Sequence, residues 1–125
     1  MEIKSLTPEL VTEDISGTIK FYTEVLNLEL ISSYPNENPE WIKLKCGDNY
    51  IMFESRDSLG KLIPEINKKN IGGSFNIYFE VVNIDKLYER IKNTTDVIVP
   101  IINTPFKQFA IKDVNGYILL FGQHS

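Results

Sequence analysis

The sequence predicts an α+β fold: two β-α-β-β-β modules whose strands form a curved mixed sheet around a cleft. Three observations predict it. Two amphipathic helical segments are each preceded by one strand-like segment and followed by three. The two halves match each other at a nearly constant spacing. The length, 125 residues, suits one domain and buries about two thirds of the unfolded surface in one core.

The first strand is read at 6–12. Asp14 then caps a helix in which Ile15, Ile19, Tyr22, Val25 and Leu26 recur at helical spacing, and Asn27 is a left-handed stop. Strands follow at 28–34 and 41–46. In the latter, Ile42, Leu44 and Cys46 alternate with Trp41, Lys43 and Lys45. Gly47, Asp48 and Asn49 make a turn into a strand at 50–55. Residues 57–73, with Gly60, Pro64, Gly72 and Gly73, read as a connector, with a short helical turn at 62–67. The pattern then repeats: a strand at 74–82, Asn83 as the second cap, and Ile84, Leu87, Tyr88 and Ile91 on a helical face. Strands at 97–102, 106–112 and 117–122 complete it, the last two joined by a turn at 113–116. Module one is thus 1–56 and module two 74–125.

The register of the repeat can be read directly. Ile15, Ile19 and Tyr22 correspond to Ile84, Tyr88 and Ile91 at an offset of 69, and 50–53 corresponds to 117–120 at an offset of 67. A sheet with one helix covers one face and leaves the other to be buried or used. Alternation puts Leu6, Leu10, Ile42, Leu44, Met52, Phe75, Ile77, Phe79, Val81, Phe109, Ile111, Leu119 and Phe121 toward the helices. It puts Thr7, Glu9, Val11, Trp41, Lys43, Ile51, Phe53, Ser55, Asn76, Tyr78, Glu80, Gln108, Ala110, Ile118 and Leu120 toward the cleft. That second set mixes aromatic walls with polar groups, as small-molecule pockets do.

Composition narrows the chemistry. There are 17 acidic and 13 basic side chains, a net charge of −4, one Cys and one His. A single cysteine excludes an internal disulfide framework and cysteine-rich zinc modules. Cys46 reads as a buried strand thiol. The one histidine, His124, excludes two-histidine metal motifs, and a position so near the end of the sequence argues against a histidine-based triad. Nucleic-acid binding needs clustered basic charge, and the adjacent pair Lys68 and Lys69 reads as solvated surface. No targeting or membrane segment is expected, and the simplest reading is a cytoplasmic protein.

At this point the sequence resembles the vicinal-oxygen-chelate superfamily, which groups glyoxalase I, bleomycin-resistance proteins and extradiol dioxygenases. Phe21-Tyr22 with Val25-Leu26 matches a first-helix signature, and 79–91 matches the entry to the second helix. Phe109-Ala110, Asp113, Gly116 and Phe121 match a closing signature. The resemblance implies a dimer and a cleft that often holds a divalent metal. Its four ligand positions fall on Thr7, Phe53, Asn76 and Leu120, none of which is His, Asp or Glu. Shifting the last strand by one residue would offer Glu54, but on the helix-facing side. The expectation is therefore the metal-free branch, with no cofactor and no catalytic residue. Bleomycin-resistance proteins of that branch sequester a cationic drug in an aromatic-lined cleft.

Candidate ligand-binding residues are Trp41, Phe53, Tyr78, Glu9, Glu80, Asn76 and Gln108. Glu9 and Glu80 come from equivalent strands and are suited to share a cationic ligand or to act as acid and base. Three functions stay open. One is a homodimeric, metal-free binding protein for an aromatic or cationic antibiotic-like molecule. Another is a glyoxalase-like lyase or isomerase using Glu9 or Glu80. The third is a ligand-free interaction domain whose cleft is plugged by Trp41, Phe53 and Tyr78.

Overall fold

The computed structural model describes residues 1–68, 70–72 and 74–124. Lys69 of the basic pair and Gly73 of the connector lie outside the described residues. The chain divides into two compact units, Met1–Asn70 and Ile71–Ser125.

Unit one contains β1 (Glu9–Thr12), α1 (Ile15–Lys20), a wide helical turn over Phe21–Val25, β2 (Glu29–Tyr34), β3 (Trp41–Cys46), β4 (Asn49–Ser55), α2 (Arg56–Leu62) and a 3-10 turn over Pro64–Lys68. Unit two contains β5 (Asn76–Glu80), α3 (Ile84–Ile91), β6 (Asp96–Asn103), β7 (Lys107–Lys112) and β8 (Ile118–Gln123). The sheet of unit one runs β1-β4-β3-β2 and that of unit two β5-β8-β7-β6, four strands each. In both, the first strand lies parallel to the last and the remaining pairs are antiparallel. The result is an α+β fold of two mixed sheets, each with its own helix.

Local chemistry explains the starts and stops. Asp14 Oδ1 accepts from the Gly17 amide at 2.9 Å, as a cap should. Thr12 and Thr18 hydroxyls meet at 3.0 Å in a fully buried contact, Thr18 Oγ1 donates to the Asp14 carbonyl, and the Asp14 amide donates to Thr12 Oγ1. Asn27 ends the helical segment at φ 59°. Asn83 behaves differently from the expectation. It adopts φ 53° and its side chain caps nothing; the free Ile84 amide donates to Gln123 Oε1 of β8 at 2.9 Å.

The connector is more structured than expected. Ser55 caps α2 by accepting from the Ser58 amide at 3.1 Å, and Leu59 is 2% exposed. Residues 56–62 read as irregular because the segment offers Leu59 and Leu62 but little other apolar periodicity. Leu6, expected in the core, is exposed, because β1 begins only at Glu9.

Core packing corrects the register of β4. The turn at Gly47 (φ 59°) and Asp48 pairs Cys46 with Asn49, so Leu44 faces Ile51 and Ile42 faces Phe53. Phe53 is therefore a core residue with no exposure, its ring 5.0 Å from that of Tyr22. Neither it nor Ile51, which is also buried, is a cleft residue. Met52 and Glu54 occupy the opposite face instead. In unit two Phe109, Ile111, Leu119 and Phe121 are buried as expected, and Tyr88 of α3 meets Phe109 edge-on at 4.9 Å. Phe75, expected on the same side, is 48% exposed because β5 begins only at Asn76, and Ala110, expected in the cleft, is buried.

Candidate functional site

The face of the unit-one sheet turned from its core carries Glu9 on β1, Trp41 and Lys43 on β3, and Met52 and Glu54 on β4. Trp41 sits opposite Glu54 across one ladder and opposite Tyr34 across the other. The β2–β3 loop folds back, with the Glu40 amide bonded to the Tyr34 carbonyl at 3.0 Å and the Ser55 amide to the Glu40 carbonyl at 2.8 Å. Beside these contacts lies an open hollow of about 420 Å³ lined by Glu9, Tyr34, Pro35, Glu40, Trp41, Glu54 and Ser58. Ser58 Oγ, on the first turn of α2, donates to Glu54 Oε2 at 2.6 Å. That bond explains why α2 matters to the site: it places a hydroxyl against one of its carboxylates.

Glu9 is exposed as a residue, yet its carboxylate end is partly screened from water. Desolvation raises its pKa, the neighbouring Glu54 carboxylate raises it further, and a hydrogen bond with the Trp41 side chain opposes both. Cys46 is partly buried, and burial pushes its thiol pKa up, away from a reactive thiolate.

In unit two, Tyr78 Oη lies 2.6 Å from His124 Nε2, and His124 Nδ1 lies 3.5 Å from Glu80 Oε1. Phe106 meets the imidazole edge-on at 4.9 Å. Gly122 makes room for this arrangement, since a Cβ there would run into Tyr78 Oη. His124 is thus engaged with the sheet, against the expectation of a frayed residue. Asn76 is exposed, opposite Ile118. Gln108 lies opposite Gly122, and its Nε2 donates to the Thr104 carbonyl at 3.0 Å.

Of the seven expected ligand residues, the structure brings Glu9 and Trp41 together at one cavity. Tyr78, Glu80, Asn76 and Gln108 lie on the unit-two sheet, and Phe53 is withdrawn into the core. Glu40, Glu54 and Ser58 were missed as lining residues. The signal for Glu54 was present in the two-residue turn at 47–48, which sets the register of β4 before any apolar pattern is consulted.

The corrected register also moves one metal position. Glu9 and Tyr78 each stand five residues before their cap, and their ladder partners are Met52 and Leu120. The four positions become Thr7, Met52, Asn76 and Leu120. They offer a hydroxyl, an amide and a thioether, but no carboxylate or imidazole, so they do not fit a divalent ion. Among the described residues, no three His, Cys, Asp or Glu side chains gather as a metal donor set. Among the same residues, no helix is long and apolar enough to cross a membrane.

Comparisons place these units in a wider group. A protein of unknown function from Agrobacterium tumefaciens str. C58 superposes with a TM-score of 0.83 at 18% identity, covering 100% of this chain and 97% of that one. TioX from Micromonospora sp. ML1 gives 0.77 at 17% identity, over 98% of this chain and 100% of TioX. A lactoylglutathione lyase from Agrobacterium tumefaciens gives 0.71 at 16% identity, over 98% and 96%. At such identities these likenesses concern the fold. A sequence search against curated proteins finds no match. The model of the Glyoxalase/Bleomycin resistance protein/Dioxygenase superfamily matches residues 3–121, and with nearly the whole length so covered, the chain belongs to that superfamily.

Proposed function

We propose that this chain is a small-molecule-binding protein that works without a metal, holding an aromatic ligand in the unit-one cavity as a sequestering protein does. The observation that carries this reading is the cavity itself. Its volume of about 420 Å³ is in the range of small-ligand pockets, and an indole and a phenol stand in its wall. Trp41 is half-buried and Tyr34 is 74% exposed, so both present ring surface to a guest. The mismatch between the metal positions and their residues supports binding over metal-dependent turnover.

The test is titration with a panel of planar compounds, read by the fluorescence of Trp41, the single tryptophan. Saturable quenching is expected, with Trp41→Leu weakening binding about tenfold or more by the same compound's calorimetry. Absence of saturable binding by every member of the panel would count against the reading.

A second reading, an isomerase, draws on the hydrogen bond between Tyr78 and His124, with the Glu80 carboxylate 3.5 Å from the other imidazole nitrogen. Turnover of a carbonyl substrate that His124→Gln abolishes would favour it. The ligand-free reading loses one of its three plugging residues, since Phe53 belongs to the core.

A further inference from the structure

Residues 56–68, α2 and the 3-10 turn after it, close on each other as one small body. The Ile63 amide donates to the Leu59 carbonyl at 2.8 Å and the Ile66 amide to the Ile63 carbonyl at 3.0 Å. Gly60 permits the close approach, since a Cβ there would run into the Asn67 side chain. A seven-residue helix does not stand without tertiary support. Here that support is thin in apolar contact: Leu59 is buried, whereas Leu62 and Ile63 are exposed. The other fastenings are polar. Arg56 Nε donates to Glu13 Oε1, just past β1, at 2.9 Å, and Arg56 Nη1 donates to the Ile66 carbonyl at 2.7 Å. Ser58 Oγ donates to Glu54 of β4 at 2.6 Å. Glu13 is well exposed, so water competes for the first of these bonds. A body with one buried apolar anchor and polar fastenings opens at a lower free energy than the strands beside it.

We propose that residues 56–68 are a flap on the unit-one hollow and that Arg56 is its latch. The hinge lies at Ser55. That residue is extended (φ −63°, ψ 147°), and its amide stays fastened to the Glu40 carbonyl at 2.8 Å. Closed, the flap puts Ser58 into the wall of the hollow beside Glu54 and Trp41. Its root, Ser55 to Asp57, lines a second hollow of about 250 Å³ with Thr12 and Glu13. Opening breaks the Arg56–Glu13 and Ser58–Glu54 bonds and withdraws Leu59. It keeps the Arg56–Ile66 bond, because both partners travel with the flap. Arg56 thus has two tasks: one nitrogen stiffens the flap, the other fastens it to the sheet. Access to the hollow is set by this latch, whatever the hollow holds, so the inference stands apart from the binding reading.

The test is amide hydrogen exchange of the full chain, read by NMR in graded urea below the unfolding transition. The Ile63 and Ile66 amides report the flap, and the ladder amides of β3 and β4 report the sheet. The flap amides are expected to exchange about tenfold or more faster than the sheet amides, with a weaker dependence on urea, because a local opening exposes little surface. Arg56→Gln should quicken the flap amides about tenfold or more, and Glu13→Gln about two- to fivefold. Arg56→Lys, which can keep the pair with Glu13, should fall between the unaltered chain and Arg56→Gln. The sheet amides should not change in any of the three. Glu13→Gln, at an exposed position, keeps the test decisive if Arg56→Gln does not fold. Flap amides that share the rate and urea dependence of β4 overturn the flap. Sheet amides quickened as much as the flap amides reduce Arg56 to a general structural role and overturn the latch. The link to the hollow is read by iodoacetamide labelling of Ser58→Cys in a Cys46→Ser chain. Adding Glu13→Gln should speed the labelling, and an unchanged rate overturns that link.

Discussion

Glu9, Trp41 and Glu54 influence one another because two parallel strands and one hairpin bring them to the same sheet face. The raised pKa of Glu9 has a definite sign for stability. An acid whose pKa is higher in the folded state binds its proton more tightly there, so the ionised form costs stability at pH 7 and the cost disappears as the pH falls through the folded pKa. Glu9→Gln is therefore expected to raise the melting temperature slightly at pH 7 and to leave it unchanged near pH 3. Thermal melts at both values check this. Phe53 illustrates the opposite role. Its burial against Tyr22 means that Phe53→Ala should cost about 3–5 kcal/mol in urea denaturation, an effect a cleft residue would not produce. Trp41 was legible as a wall residue because its strand alternates cleanly. Phe53 was not, because Ile51, Met52 and Phe53 are all apolar and the alternation is silent across them.

At the level of elements, capping and turn chemistry decide the boundaries. Asp14→Ala should cost about 1 kcal/mol by removing the acceptor of the Gly17 amide, whereas Asn83→Ala should lose no cap hydrogen bond, since Gln123 serves that end. Paired denaturation curves distinguish the two. The eight strands and the two repeat helices were legible from periodicity, with ends that differ by a few residues. The helix over Arg56–Leu62 was not. It rests on one cap and on Leu59 packing, a tertiary cause that a seven-residue stretch does not advertise. Leu59→Ala is expected to cost about 2–5 kcal/mol and to loosen the Ser58–Glu54 contact. A drop in ligand affinity alongside the drop in stability would show that α2 supports the cavity.

For the whole molecule, the repeat made the family visible, because matched modules and three spaced signatures survive where overall identity is low. The candidate site was not visible at that scale, since it depends on which strand face holds which residue. The edge strands suggest an assembly: Ile31 on β2 and Ile98 on β6 are 41% and 39% exposed. A dimer is the expected state, and light scattering at micromolar concentration should give twice the chain mass.

The buried hydroxyl pair of Thr12 and Thr18 has a consequence for the order of folding. Its partners are six residues apart, so it can close before any sheet exists. The pairing of β1 with β4, such as Leu10 with Phe53, must first close a loop of about forty residues. Thr18→Val should therefore slow refolding nearly as much as it destabilises, whereas Phe53→Leu should act mainly by hastening unfolding. The strand-to-helix corner would then be the seed on which the rest of unit one condenses.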